Sequence, residues 1–291
     1  AATFLRNGGQ RGPQRKILRE GTYAIHLSLF VVLAEERVYG LGEKAFGMNR
    51  RGRVYQMWND DPSGAYAPGK DPFYLGIPFY LGVRGPHACG VFFDNAHRGA
   101  VDAGCSVTDR LTMRACGGPM RWYLLAGPTA TDVLRRFTEL TGRMRLPPLW
   151  ALGYHQSRWS YTPAQRVLQV AAEFRRRRVP CDAIHLDIDY MDGYRCFTWH
   201  PQRFPDPPGL VGALHEQGFK LVTIIDPGIK TDRSYKAFGD GLDNGVYCTL
   251  ADGSLYRGPV WPGDCCFPDF SRASSRAWWG KQCQALTDVG V

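Results

Sequence analysis

A chain of 291 residues that is 44% hydrophobic and 13% aromatic has material for sizeable cores and about two domains, which excludes an intrinsically disordered polypeptide. Its formal charge of +9 raises nucleic acid as a partner, yet the basic residues are dispersed and no base-stacking motif accompanies them, so no nucleic acid is expected. Nine cysteines without a C-x-x-C pair, and with Cys265 and Cys266 adjacent, lack metal-ligand spacing and read as reduced, buried thiols.

In chain order, the first elements are short β-prone runs cut by Gly, Pro and Asn: YAIHLSLFVVL, FYLGIPFYLGV, CGVFFDN and MRWYLLAG, all before residue 128. They suit an antiparallel β-sandwich. The longest apolar stretch, residues 23–34, is about a dozen residues and contains His26, too short to cross a bilayer. No basic-then-apolar leader is visible, so no membrane association and a cytoplasmic setting are expected, with a leader upstream of Ala1 left open. A helix is expected over 131–141, with Pro128 and Thr129 before it and Gly142 after it. Pro147 and Pro148 then mark a boundary.

Beyond it the pattern alternates. A strand over 149–156, a helix over 162–178, a strand over 181–188, a short helix over 210–217 and a strand over 220–226 imply parallel strands with right-handed crossovers. The helix carries Val167, Val170, Ala171 and Phe174 on one side, so the arginines at 175–178 read as its solvated C-terminal end. Turn-rich hairpin material occupies 233–269, and a last helix runs over 271–287. The division expected is a β-sandwich-like domain over 1–145 and a barrel-like domain over 146–291 with a hairpin-rich insertion at about 227–270.

The run His185-Leu-Asp-Ile-Asp-Tyr-Met-Asp192 ends the second parallel strand in carboxylates. Side chains alternate along a strand, so Asp187 and Asp189 are expected on one face, where like charges raise each other's pKa. Such an arrangement serves a ligand, a cation or proton transfer, or else is a solvated loop. His155 to Trp159 and Asp226 follow the neighbouring strands, and polar groups at successive C-terminal strand ends form the sites of α/β barrels and doubly wound sheets. No G-x-G-x-x-G or phosphate-cradling loop follows the first strand, which favours the barrel. A full (β/α)8 barrel needs roughly 250 residues. About 143 follow Pro148, enough for at most half of one.

Six ordered strings carry a resemblance: YGLGEK (39–44), WNDD (58–61), LPPLWALGYHQSRWSY (146–161), HLDIDYMDGYRCFTWHPQRFPDP (185–207), IIDPGI (224–229) and VWPGDCCFPDF (260–270). Together they resemble glycoside hydrolase family 31. That resemblance implies an N-terminal β-sandwich followed by a (β/α)8 TIM barrel, here about its first three strands, and retaining α-glucosidase chemistry with α-xylosidases and transglycosylases as relatives. It places Asp187 where hydroxyls of the terminal sugar are bound, as a clamp and not as the nucleophile. Trp159, Ile224 and Trp261 match pocket-wall positions, with a core role as the alternative for the first two. Asp61 matches an acid at the pocket rim, with a turn-forming Asp before Pro62 as its alternative. Asp189 is expected to orient Asp187 or pair with Arg158, and Asp226 to support the site or cap the turn before Pro227. No metal or organic cofactor is implied, and the implied partner is an α-linked oligosaccharide or glucoside.

The family's nucleophile lies in a Trp-x-Asp-Met-Asn-Glu motif on the fourth barrel strand, and its acid/base lies further on. Neither is found in these residues, and both are expected beyond Val291. Asp187 and Asp189 cannot replace them, because retaining hydrolysis needs carboxyl groups roughly 5–5.5 Å apart on opposite sides of the bond. The expectation is therefore a part of an α-glycosidase that binds terminal non-reducing α-glucosides and does not hydrolyse them alone. A non-catalytic carbohydrate-binding or regulatory module is the alternative.

Overall fold

The structure, a computed structural model, describes residues Ile25–Phe30 and 35–291. The remainder of the first expected β run, and the expectation about a leader, lie outside the described residues. The chain divides into two compact units, Ala1–Met144 and Arg145–Val291.

The first unit holds two four-stranded antiparallel sheets. One takes the order β1 (Ile25–Phe30), β7 (Arg110–Ala115), β6 (Gly99–Ala103), β3 (Val54–Met57). The other takes β2 (Arg37–Gly42), β4 (Gly76–Arg84), β5 (His87–Phe93), β8 (Trp122–Ala126). Val38, Tyr80 and Val91 of the second sheet share one core with Tyr55, Val101 and Met113 of the first, the alternate-residue burial expected of a sandwich. The other face of the second sheet is covered by helix α1 (Ala130–Thr141), through Phe79, Leu81 and Leu125 packed on Val133. Phe79 and Phe137 stack with ring centroids 4.0 Å apart. A Cβ on Gly90 would sit 2.6 Å from Val133 Cγ1, so the helix lies as close to β5 as it does because that residue has no side chain. Thr129 and Asp132 close a reciprocal capping box at the start of α1.

Strands β2, β3, β6 and β7 were not among the expected runs. They are short and carry Gly, Ala, Asp or Arg, and β2 is interrupted at Gly40 to Gly42 by a register shift that weakens any alternation. Beside this break, Lys44 is fully buried and donates to Asp71 Oδ1 (2.7 Å) and the Gln56 carbonyl (2.5 Å). Asp71 Oδ2 accepts from the Gln56 N–H (2.6 Å), so the ion pair ties the loops on either side of β3 together.

The second unit opens differently from the expectation. Residues 149–152 form a 3-10 turn, not a strand, and only His155–Gln156 pair as β9. Pro148 supplies the carbonyl that accepts the Ala151 N–H, closing the turn, and Leu149 and Leu152 remain exposed at 85% and 68%. Helix α2 (Ala164–Arg176) leads to β10 (Ala183–Leu186), and helix α3 (Pro207–Glu216) to β11 (Lys220–Thr223). The three strands are parallel in the order β11, β10, β9. Ile184, Leu186 and Leu221 pack on Val167 and Ala171 of α2 and Leu210 and Leu214 of α3, the helix-on-sheet layer of a barrel wall. Arg176 and Arg177 pair with Glu173 at the surface. Arg175, expected with them in solvent, instead lies 3.8 Å over the Phe219 ring and donates to the Gln217 and Cys181 carbonyls.

After β11 a short antiparallel sheet forms from β12 (Ile229–Lys230), β13 (Arg257–Val260) and β14 (Gly263–Cys266) in the order β12, β14, β13. Helix α4 (Lys236–Asp243) falls where only hairpin material was expected; its two glycines and two aspartates are poor helix formers. It is held by tertiary burial of Ala237 and Phe238 and by Tyr247, whose hydroxyl donates to both of their carbonyls. Helix α5 (Ala273–Thr287) ends the unit. No helix among the described residues is long and apolar enough to cross a membrane.

Candidate functional site

The parallel strands place their C-terminal ends side by side, and the chemistry gathers there. Strand β10 stops at Leu186, one residue short of the acids. Asp187 leaves the ladder and its carboxylate accepts the Ile188 N–H (2.8 Å), capping a 3-10 turn over Ile188–Tyr190. This corrects the expected strand over 181–188: Asp187 and Asp189 do not share a strand face. A local side-chain to backbone hydrogen bond competes with the ladder, and here it wins. Within the turn, Ile188 and Tyr190 are buried, and the Tyr190 hydroxyl donates to the Ile224 carbonyl (2.9 Å). Burial pushes the Tyr190 phenol well above its ordinary range.

Asp226 follows β11 and faces Asp187. Burial, with the Asp187 charge behind it, holds the Asp226 carboxyl above the ordinary carboxylate range. The Cys196 Sγ donates to the Asp226 carbonyl (3.1 Å), fixing its backbone, and burial pushes the Cys196 thiol up to about 11, so this sulfur is not a nucleophile at neutral pH. Ile224, between the two strand ends, is 39% exposed, while its N–H extends the β10–β11 ladder to the Leu186 carbonyl.

Asp189 turns the other way. Its Oδ2 accepts the indole N–H of Trp159 (2.9 Å), and its Oδ1 accepts the Tyr194 hydroxyl (3.4 Å). The cation near it is Arg203, at 3.7 Å. The expected Arg158–Asp189 pair is not what the fold makes: Arg158 lies over the Tyr161 ring at 5.8 Å. The Trp159 ring stays 69% exposed although its N–H is satisfied, leaving an apolar face free.

Trp261 occupies the two-residue turn between β13 and β14 and is 63% exposed. The stem of that hairpin reaches back to the segment after Asp226, where a Cβ on Gly228 would lie 2.7 Å from Val260. Asp61 belongs to the first unit. It is exposed, and its carboxylate accepts the Ser63 N–H (2.8 Å) across Pro62, the geometry of a turn-forming Asp.

Several contacts at this end escaped the sequence reading. His155 Nδ1 and His185 Nε2 lie 3.1 Å apart, and His155 Nε2 is 3.2 Å from the Trp150 carbonyl. If His155 Nε2 donates to that carbonyl, its Nδ1 accepts from His185. Burial, helped by its His155 neighbour, lowers the His185 pKa from its ordinary value. Both rings project from the sheet face opposite to Ile184 and Leu221. The signal was available in the period of two that links His185 to Asp187. Arg203 and Tyr194 had no local pattern to betray them, since their meeting with Asp189 depends on two consecutive 3-10 turns.

Among the described residues, no three His, Cys, Asp or Glu side chains are grouped to hold a metal ion. The arrangement instead offers carboxylate acceptors for neutral hydroxyls, Asp187 and Asp226, with exposed Ile224 between the strand ends and the exposed Trp159 ring tied to the Asp187 turn through Asp189. Acceptors flanked by flat apolar faces suit a polyol ring, whose hydroxyl edge and C–H face differ in the same way.

Both units of the chain are similar to known proteins. The family model described as "Glycosyl hydrolases family 31 TIM-barrel domain" matches residues 144–291, and "Glycosyl hydrolase 31 N-terminal galactose mutarotase-like domain" matches residues 10–102. The chain is 42% identical over 271 residues to α-glucosidase 2 of Bacillus thermoamyloliquefaciens, covering 93% of this chain and 34% of that protein. It is 30% identical to an α-xylosidase of Lactiplantibacillus pentosus, over 88% of this chain and 33% of the relative. Among solved structures, a dextranase of Flavobacterium johnsoniae complexed with isomaltotriose superposes with a TM-score of 0.83 at 32% identity, covering 91% of this chain and 32% of the dextranase. The chain thus spans about a third of the length of these relatives.

Proposed function

Because the chain belongs to glycoside hydrolase family 31, we propose that its second unit provides the sugar-gripping part of an α-glucosidase-type site. The observation that carries the reading is the pair Asp187 and Asp226 at adjacent strand ends, with Asp226 held above the ordinary carboxylate range. Two carboxylates that repel each other are relieved when sugar hydroxyls donate into them. Asp187 is the clamp on adjacent hydroxyls of a terminal α-glucosyl residue, and Trp159, Ile224 and Trp261 close the apolar side and exclude water. The isomaltotriose bound by the dextranase relative supports an α-linked glucose oligomer as the ligand class. An α-xyloside is the second reading, favoured by the α-xylosidase relative at lower identity.

Chemistry beyond binding needs a nucleophile and an acid/base on opposite faces of the glycosidic bond. Asp189 is engaged by Trp159, and Asp187 by the Ile188 N–H, on one and the same turn. Neither faces the other across a space that a sugar could fill. These 291 residues are therefore expected to bind an α-glucoside without cleaving it. Incubation with p-nitrophenyl α-glucoside tests this: release of p-nitrophenol should not exceed the buffer rate. Robust turnover lost in Asp187→Ala would overturn both the binding-only reading and the clamp role.

A further inference from the structure

Sugar binding gives Asp189 no task, and its contacts assign it another. Its Oδ2 accepts the Trp159 indole N–H at 2.9 Å, while Tyr194 Oη (3.4 Å) and Arg203 Nη1 (3.7 Å) stand at its Oδ1. The Asp189 side chain is only 17% exposed, whereas Trp159 is 69% exposed. A large indole so exposed gains little orientation from packing. It sits in the seven residues that separate β9 from α2, outside both elements. The hydrogen bond ties that mobile-by-default ring to the short turn that Asp187 caps.

We propose that Asp189 is a positioning residue that sets the plane of the Trp159 indole relative to the Asp187 carboxylate, with Arg203 and Tyr194 holding the Asp189 side chain in place. The indole is held at two points, its Cβ tether to the backbone and its N–H on Asp189 Oδ2, and the two together restrict rotation of the ring plane that either alone would allow. The ordering entropy of the indole is then lost on folding, before the ligand arrives, which raises affinity without adding a contact. Asp189 itself does not touch the sugar. The ligand half of this proposal rests on the sugar-binding reading above; the indole half does not.

The experiment separates the two. In the indole region of a 1H–15N correlation spectrum of the full chain, the Trp159 resonance is identified by its loss in Trp159→Phe. Asp189→Ala should move and broaden that resonance while those of the other seven of the eight tryptophans hold their positions and report an intact fold. Asp189→Asn, which keeps a carbonyl acceptor, should restore a sharp but shifted line. Isomaltotriose titrations read by the same spectra should show Asp189→Ala weakening binding by about 10-fold, Trp159→Ala by a similar factor, and the double variant by no more than Trp159→Ala alone. An unmoved Trp159 resonance in Asp189→Ala, or losses that multiply in the double variant, would overturn the proposal. Absence of any isomaltotriose binding by the parent chain, with the indole response as described, would remove the sugar-binding reading and leave the positioning of Trp159 standing.

Discussion

Asp226 is the residue whose protonation reports most directly on the strand-end acids. Its carboxyl is held above the ordinary carboxylate value of 3.8 by burial and by Asp187, so the folded chain keeps this proton to higher pH than the unfolded chain does. Between the ordinary value and the raised one the folded state binds more protons, and stability falls as pH rises through that window. Asp226→Asn never ionises. Its melting temperature is expected to exceed that of the parent by about 1–3 °C at pH 7, the group being half-exposed and partly screened, and the two curves should converge below pH 4. His185 works in the opposite sense. Its pKa is lowered in the fold, so its stabilising contribution is complete above the ordinary histidine value of 6.5 and is lost as pH falls below it. Thermal melts of His185→Gln between pH 5 and 8 should lack that acid-side decline. Asp187, Trp159, Ile224 and Trp261 are marked in the sequence by motif strings, and the structure puts the first three after the ends of the parallel strands. The direction in which Asp189 points could not, since HLDIDY has the same alternation in a strand as across a 3-10 turn, and only the Asp187 cap decides between them.

Elements with strong local signals matched their sequences. Helix α1 formed between Thr129 and Gly142, where its capping residues stand, and α2, α3 and α5 appeared within a few residues of their expected places. What was illegible has weak local signals and tertiary support: α4 with its glycines, and β6, whose GAVDA sequence is buried at every position. The same dependence on packing makes two substitutions informative. Gly90→Ala drives a methyl into Val133 and should destabilise the first unit by about 1–3 kcal/mol in a urea melt, with Val133→Ala recovering part of that loss. Lys44→Ala leaves Asp71 nearly buried without its cation and should cost about 3–5 kcal/mol. Burial already lowers the Lys44 pKa against the pull of Asp71, so the ammonium gains from its partner less than it loses by leaving water.

At the scale of the whole molecule, each unit has its own core, and the join between them is open chain. Met144 and Leu146 are 87% and 92% exposed, and Arg143 and Arg145 flank them. Brief trypsin digestion should cut first at these arginines and leave two resistant pieces. In the second unit, β9 and β11 are the outer strands of a three-stranded parallel sheet, with Leu149, Leu152 and Tyr154 exposed nearby. Parallel sheets are otherwise covered on both faces, so self-association at micromolar concentration is expected in sedimentation profiles. Two domains and a partial barrel could be inferred from the change of pattern at Pro147 and Pro148; the face that carries the histidine pair became visible only with the register of β9, β10 and β11. The proposed binding role stands or falls on a proton NMR titration of isomaltotriose with the parent chain and Asp187→Ala. Saturable broadening of the sugar signals that is lost in Asp187→Ala, with no free glucose appearing over hours, is the expected result. Broadening that survives Asp187→Ala, or steady growth of α-glucose signals, would contradict it.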